Sequence, residues 1–148
     1  MTKTELFKEA EEWYNKSESY RLNRCAAWYT QPKQFSDQKV YQILESYSTI
    51  VAVYCHDINC TFVRDYYSAT TVQHIYKFHR KMEAQHGESS MVFLYHRNDG
   101  IIIRSPYPER PLKFAKVFHD LYLLPLDYST LIDGSWNDYS KPNFTHEI

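Results

Sequence analysis

Apolar residues recur at helical spacing through the first segment of the chain, residues 1–22. They fall on one face of a helical wheel, with Lys8 and Glu12 on the other. Thr2 and Glu5 have the spacing of a capping box, in which each side chain satisfies a backbone N–H group at a helix start. The pattern predicts an amphipathic N-terminal helix. Its apolar face comprises Leu6, Phe7, Ala10, Trp13, Tyr14 and Tyr20.

The period is lost over residues 23–36, which predicts a loop, and a short strand is expected near residues 40–44. Two β-branched apolar runs follow at 49–55 and 60–64, with a turn-like segment between them. They predict a β-hairpin. A helix is expected next over residues 70–84, where Thr70 and Gln73 repeat the capping-box spacing and Gly87 provides a stop.

A second hairpin is predicted by apolar runs at 91–95 and 101–104 around Asn98-Asp99-Gly100, because Asn and Gly tolerate a positive φ. Pro111 is suited to begin a third helix, which Pro125 would end. The tail from Asp127 has no period and is expected to be irregular.

These elements predict one α+β domain over residues 1–148, with an antiparallel sheet packed by helices. After the N-terminal helix, a hairpin followed by a helix occurs twice, and the chain ends in the tail. The expected regions are 1–22, 40–86, 91–124 and 127–148.

Composition narrows the class of protein without naming a function. The formal net charge is −1, so nucleic-acid binding would depend on a local basic patch. The 14 Tyr residues suit recognition surfaces as well as half-buried core edges. We expect neither a signal peptide nor a membrane span, and three cysteines in a chain of this size fit a reducing compartment such as the bacterial cytoplasm.

Candidate chemical groups are sparse. Cys55, His56 and Cys60 flank the turn of the first hairpin, but a structural zinc site needs four ligands, so packing is the favoured interpretation. His79 shares a helical face with apolar residues and is expected at the edge of the core. The sequence has no hydrolase, P-loop or zinc-protease signature. We therefore predict no catalytic residues, no metal site and no cofactor.

The second predicted helix carries the main candidate binding residues. His74, Lys77, Arg80 and Lys81 occupy adjoining positions opposite its apolar stripe, with Arg64 nearby in the hairpin. This cationic strip could contact phosphates or an acidic protein surface, and an ordinary solvated helix face explains it equally well.

The segment from Glu45 to Ala52, together with the segment from Tyr66 to Phe78, resembles small bacteriophage and mobile-element proteins. In that family a hairpin leads into Tyr-Ser-x-Thr-Thr-x-x-His-Ile-x-x-Phe. The matching residues here are Tyr67, Ser68, Thr70, Thr71, His74, Ile75 and Phe78. The resemblance covers about 35 of the 148 residues and implies an origin more than an activity.

The leading hypothesis is a non-enzymatic phage or mobile-element protein that binds and inhibits a host protein or protein–nucleic-acid complex, with a CRISPR effector nuclease as one candidate target. The alternative is a small nucleic-acid-binding module that uses the basic face of the helix over 70–84. A homodimer is compatible with either hypothesis.

Overall fold

A computed structural model describes residues 1–97 and 100–107 of the chain. Two α-helices and eight strands occur in these residues. The helices are α1 (Lys3–Trp13) and α2 (Ala69–His86), and a short 3₁₀ turn spans Lys16–Glu18. The strands are β1 (Tyr20–Arg21), β2 (Ala27–Tyr29), β3 (Lys33–Gln34), β4 (Val40–Ser46), β5 (Thr49–Cys55), β6 (Cys60–Val63), β7 (Ser90–Arg97) and β8 (Gly100–Arg104). The predicted α+β class is confirmed.

The strands form one sheet in the order β1-β2-β4-β5-β6-β7-β8, with β3 also paired to β4. Neighbouring strands are antiparallel except β6 and β7, which run parallel. The sheet is therefore mostly antiparallel, as predicted, with one parallel pair that the sequence pattern did not predict. The parallel pair arises because α2 carries the chain back along the sheet before β7 begins, as a crossover between parallel strands requires.

Each face of the sheet is covered by one helix. Leu6, Phe7 and Ala10 of α1 join the apolar cluster on one face. Ile75, Phe78 and Met82 of α2 join the cluster on the other. Every one of these side chains is at most 1% exposed, and burial of each large one stabilises the fold by about 1.5–3 kcal/mol.

The first helix is shorter than the sequence pattern predicts. The capping box between Thr2 and Glu5 forms, but α1 ends at Trp13 because Tyr14 adopts an extended conformation. Trp13 is 46% exposed and Tyr20 is 50% exposed, so neither lies on the buried face. The sequence pattern extended past the true end because Tyr14, the C-cap of α1, and Tyr20 of strand β1 also fall at helical spacing.

Two further boundaries differ from prediction. The segment 23–36 was expected to be a loop but contains β2 and β3. These strands are two or three residues long, which is too short to show the alternation of apolar and polar residues that predicts a strand. Helix α2 begins earlier than expected, and its N-cap is Ser68, whose side chain accepts from the Thr71 N–H. Ser68 therefore takes the place of the predicted capping box at Thr70. Gly87 ends the helix with a φ of +89°, as predicted.

Both predicted hairpins form. Strands β5 and β6 pair around residues 56–59, and β7 pairs with β8. The turn residues 98–99, the third helix predicted from Pro111 and the tail from Asp127 lie outside the described residues.

Candidate macromolecule-binding surface

Helix α2 turns three cations towards one shallow groove. Lys77, Arg80 and Lys81 are three and four residues apart, so they lie on adjacent turns of the same face. They line a groove of about 380 Å³ together with Leu22, Asn23 and Ala84. We call this surface the basic groove. No acidic residue is among the described residues that line it.

Contacts with the first strands hold two of the cations in place. The Lys77 ammonium donates to Cys25 Sγ at 3.2 Å. Lys81 Nζ lies 5.8 Å from the centroid of the Tyr29 ring. Both contacts link α2 to the segment around β2, so the groove is built between two elements that are distant in sequence.

Aromatic rings extend the basic groove to the edge of the sheet. Tyr29 lies 6.1 Å from Phe78 in the core and 5.6 Å from Tyr20 on strand β1. Strand β1 is the last strand at this edge, and half of Tyr20 is exposed. Tyr29 therefore connects Lys81 to an accessible ring at the edge of the sheet. The sequence pattern did not associate Tyr20 and Tyr29 with the cationic strip.

His74 does not belong to the exposed strip. His74 is only 5% exposed, and its Nδ1 atom lies 2.8 Å from Ser46 Oγ on strand β4. Burial, with a smaller contribution from Lys77, lowers the pKa of His74 and disfavours its charged form. The helical wheel placed His74 beside Lys77, but β4 covers that part of α2, so the prediction of a solvent-facing histidine is wrong.

Arg64 is also separated from the basic groove. Its guanidinium lies 5.4 Å from the centroid of the Phe7 ring and 3.5 Å from Glu11 Oε1, both on α1. It therefore lies on the α1 side of the sheet, whereas Lys77, Arg80 and Lys81 lie on the α2 side. Arg64 directly follows strand β6. Successive residues along a strand point to opposite faces of the sheet, so the position of Arg64 in the sequence did not show which helix its side chain would meet.

The α1 side carries an acidic groove of about 540 Å³, lined by Glu9, Glu12, Trp13 and Ser36. Glu9 accepts from the Ser36 backbone N–H at 2.7 Å and from its hydroxyl at 2.6 Å, so this carboxylate is fixed. The exposed Trp13 indole donates to Glu9 at 3.2 Å. The helical pattern assigned Trp13 to the core, and this surface was not predicted.

The cysteine and histidine residues around the first hairpin turn pack against neighbouring side chains, and His56 Nε2 lies 2.8 Å from Gln42 Oε1. Cys55 and Cys60 face each other across β5 and β6 as free, buried thiols, and burial raises the pKa of both. The described residues contain no cluster of three or more His, Cys, Asp or Glu side chains suited to a metal ion.

His79 of α2, predicted at the edge of the core, is fully buried. Its Nδ1 atom lies 2.8 Å from Thr61 Oγ1, and its Nε2 atom lies 3.1 Å from Glu83 Oε1.

Comparison with known proteins assigns the chain to a family. A model of the family of unknown function DUF8033 matches residues 1–93. The chain belongs to this family. The matched residues include α1, α2 and every residue that lines the basic groove and the acidic groove. No curated protein and no solved structure matches the chain.

Neither α1 nor α2 combines the length and the apolar character that crossing a membrane requires.

Proposed function

We propose that this chain is a non-enzymatic binding protein that contacts nucleic acid through the basic groove. The observation that carries the proposal is the convergence of Lys77, Arg80 and Lys81 in one groove. Tyr29 connects this groove to the half-exposed Tyr20 at the edge of the sheet. Cations neutralise phosphates, and an accessible aromatic ring offers a surface on which an unpaired base can stack. This combination favours a single-stranded ligand.

The charge distribution supports a local interaction. The net charge of the chain is −1, so general attraction to a polyanion is absent and binding must arise at the groove itself. The Lys77 and Lys81 side chains are held by Cys25 and Tyr29, which reduces the conformational entropy that they lose when a ligand binds.

Fluorescence anisotropy with a labelled single strand longer than about 16 nucleotides tests the proposal. The triple variant Lys77→Glu, Arg80→Glu and Lys81→Glu should abolish binding at low salt. Replacing the three cations singly by Gln should lower the slope of log affinity against log salt by about 0.7 per lost phosphate contact. Lys8→Glu on α1 is the matched control and should leave the affinity unchanged. Salt-independent binding, or equal loss in the control, would contradict the proposal.

A second candidate is an inhibitor of a host macromolecule, which the resemblance to phage and mobile-element proteins suggests through the origin of the chain. The acidic groove favours it, because Glu9 and Glu12 flank an exposed tryptophan. Acidic charge complements the nucleic-acid-binding surface of a host nuclease, and tryptophan is a frequent anchor of protein interfaces. Its setting is the host bacterial cytoplasm, where the free thiols of the hairpin would persist.

Capture from host lysate separates the two candidates. An inhibitor should retain a stoichiometric protein partner that Trp13→Ala together with Glu12→Lys releases. The triple variant of the basic groove should keep that partner. Loss of the partner with the basic-groove variant, and retention with the α1 variant, would assign the interaction to the basic groove instead.

A further inference from the structure

A small pocket lies at the start of α1, on the opposite side of the sheet from the basic groove. Its volume is about 180 Å³, and its lining residues are Lys3, Thr4, Phe7, Arg64 and Asp65. This volume accommodates several water-sized groups, and hence one small tetrahedral ion.

Lys3 is the unusual residue of the pocket. Lysine is rarely buried without a partner, yet Lys3 is only 5% exposed. Its ammonium makes no hydrogen bond or ion pair with a side chain that the structure describes, although Asp65 acts on it through space. Burial, with a smaller effect of Arg64, lowers the pKa of Lys3 to about 8. A largely buried ammonium without a direct ion pair is unfavourable, and an anion in the pocket would stabilise its charged form.

Two of the lining residues, Lys3 and Thr4, belong to the first turn of α1. The capping box satisfies the amides of Thr2 and Glu5, and Leu6 donates to the Thr2 carbonyl. The amides of Lys3 and Thr4, in the first turn, donate to no acceptor in the described residues, as expected at a helix N-terminus. The pocket that Lys3 and Thr4 line therefore lies at the positive end of the helix dipole.

The two remaining charged residues define the kind of anion. Arg64 donates to the Ile50 carbonyl at 3.3 Å and pairs with the half-exposed Glu11, which fixes its guanidinium at the pocket wall. Asp65 accepts from the Tyr66 N–H with Oδ1, and its Oδ2 makes no hydrogen bond with a described residue. A carboxylate repels a fully deprotonated anion, but it accepts a hydrogen bond from one that retains a proton.

We propose that the pocket binds monohydrogen phosphate, with Lys3, the first-turn amides and Arg64 around its oxygens and its hydroxyl donating to Asp65. The site is independent of the basic groove, because it uses other residues on the other side of the sheet. Sulfate carries the same charge without a proton and is therefore discriminated against by Asp65.

Isothermal titration calorimetry of the full chain with inorganic phosphate and with sulfate at pH 7.5 tests the proposal. Phosphate should bind more tightly than sulfate by at least about tenfold, since only phosphate can donate a hydrogen bond to the Asp65 carboxylate. Lys3→Met should weaken phosphate binding by a similar factor, and Asp65→Asn should remove the preference for phosphate. Lys8→Met, on the exposed side of α1, is the control and should change neither affinity.

Amine labelling of the unaltered protein gives a second readout that does not depend on the folding of a variant. Phosphate should slow the modification of Lys3 at least about threefold, more than sulfate does, and leave Lys8 unaffected, because only Lys3 would be covered by the ion. Equal labelling of Lys3 with and without phosphate, or equal affinity for phosphate and sulfate, would overturn the proposal.

Discussion

Ser46 Oγ lies 2.8 Å from His74 Nδ1, in a buried contact that joins the end of β4 to the first turns of α2. The same hydroxyl lies 3.3 Å from Thr71 Oγ1. Ser46 belongs to the segment from Glu45 to Ala52, and Thr71 and His74 belong to the segment from Tyr66 to Phe78, the two segments of the motif described in the sequence analysis. The hydroxyl and imidazole groups of the motif therefore dock the helix on the sheet, whatever the origin of the motif.

Removal of this hydroxyl should destabilise the protein. Ser46→Ala leaves His74 and Thr71 without a buried partner, which costs about 1–3 kcal/mol. Ser48→Ala, at an exposed position two residues away, is the control and should change the free energy of unfolding by less than about 0.5 kcal/mol. Urea denaturation measures both. Similar losses in the two variants would show that the Ser46 contact does not stabilise the fold.

The N-cap of α2 gives a second prediction. Ser68→Ala should lower the free energy of unfolding by about 1 kcal/mol, because the Thr71 N–H loses its side-chain acceptor. Thr70→Ala tests the capping box that the sequence favoured, and it should have a much smaller effect, since Thr70 is exposed within the helix. Thermal unfolding of the two variants distinguishes the caps. A larger loss for Thr70→Ala would restore the original assignment.

Acidification should destabilise the fold through His56 and His74. Burial is the main cause that lowers the pKa of each, with smaller contributions from His86 on His56 and from Lys77 on His74. The unfolded chain takes up protons near the ordinary histidine pKa of 6.5, whereas the folded chain takes them up only at lower pH. The stability contributed by these two groups is therefore complete above the unfolded pKa and declines as the pH falls below it.

Denaturation midpoints at pH 8 and pH 5.5, about one unit or more on either side of the ordinary pKa, measure this effect. His56→Gln removes one titrating ring, retains a hydrogen-bonding side chain towards Gln42, and should reduce the decline. A stability that rises on acidification between these values would contradict the assigned direction of both shifts.

The three described cysteines should differ in reactivity. Cys25 is partly exposed beside Lys77, whereas Cys55 and Cys60 are buried, and burial raises the pKa of Cys55 to about 11. Thiolates are the reactive form, so iodoacetamide should modify Cys25 in the native protein and the other two only after unfolding. Mass spectrometry of tryptic peptides gives the result directly. Fast native labelling of Cys55 would show that the hairpin opens.

The sequence by itself determined those features that depend on interactions between residues a few positions apart. The capping box of Thr2 and Glu5, the hairpin around residues 56–59 and the stop at Gly87 depend on neighbouring residues, and all three form. The packing of His79 also followed from its position among apolar residues of one helix face. Periodicity and turn chemistry are sufficient in such cases because the interactions lie within a few residues.

Tertiary structure decided which residues share a surface. The parallel pairing of β6 and β7, the burial of His74 under β4 and the separation of Arg64 from Lys77 depend on how the strands are ordered across the sheet. Two further contacts join segments that are far apart in the chain. Lys81 lies near the Tyr29 ring, and Lys3 lines the same pocket as Asp65. A helical wheel describes one helix in isolation, and only packing against other elements determines which of its polar positions meet water.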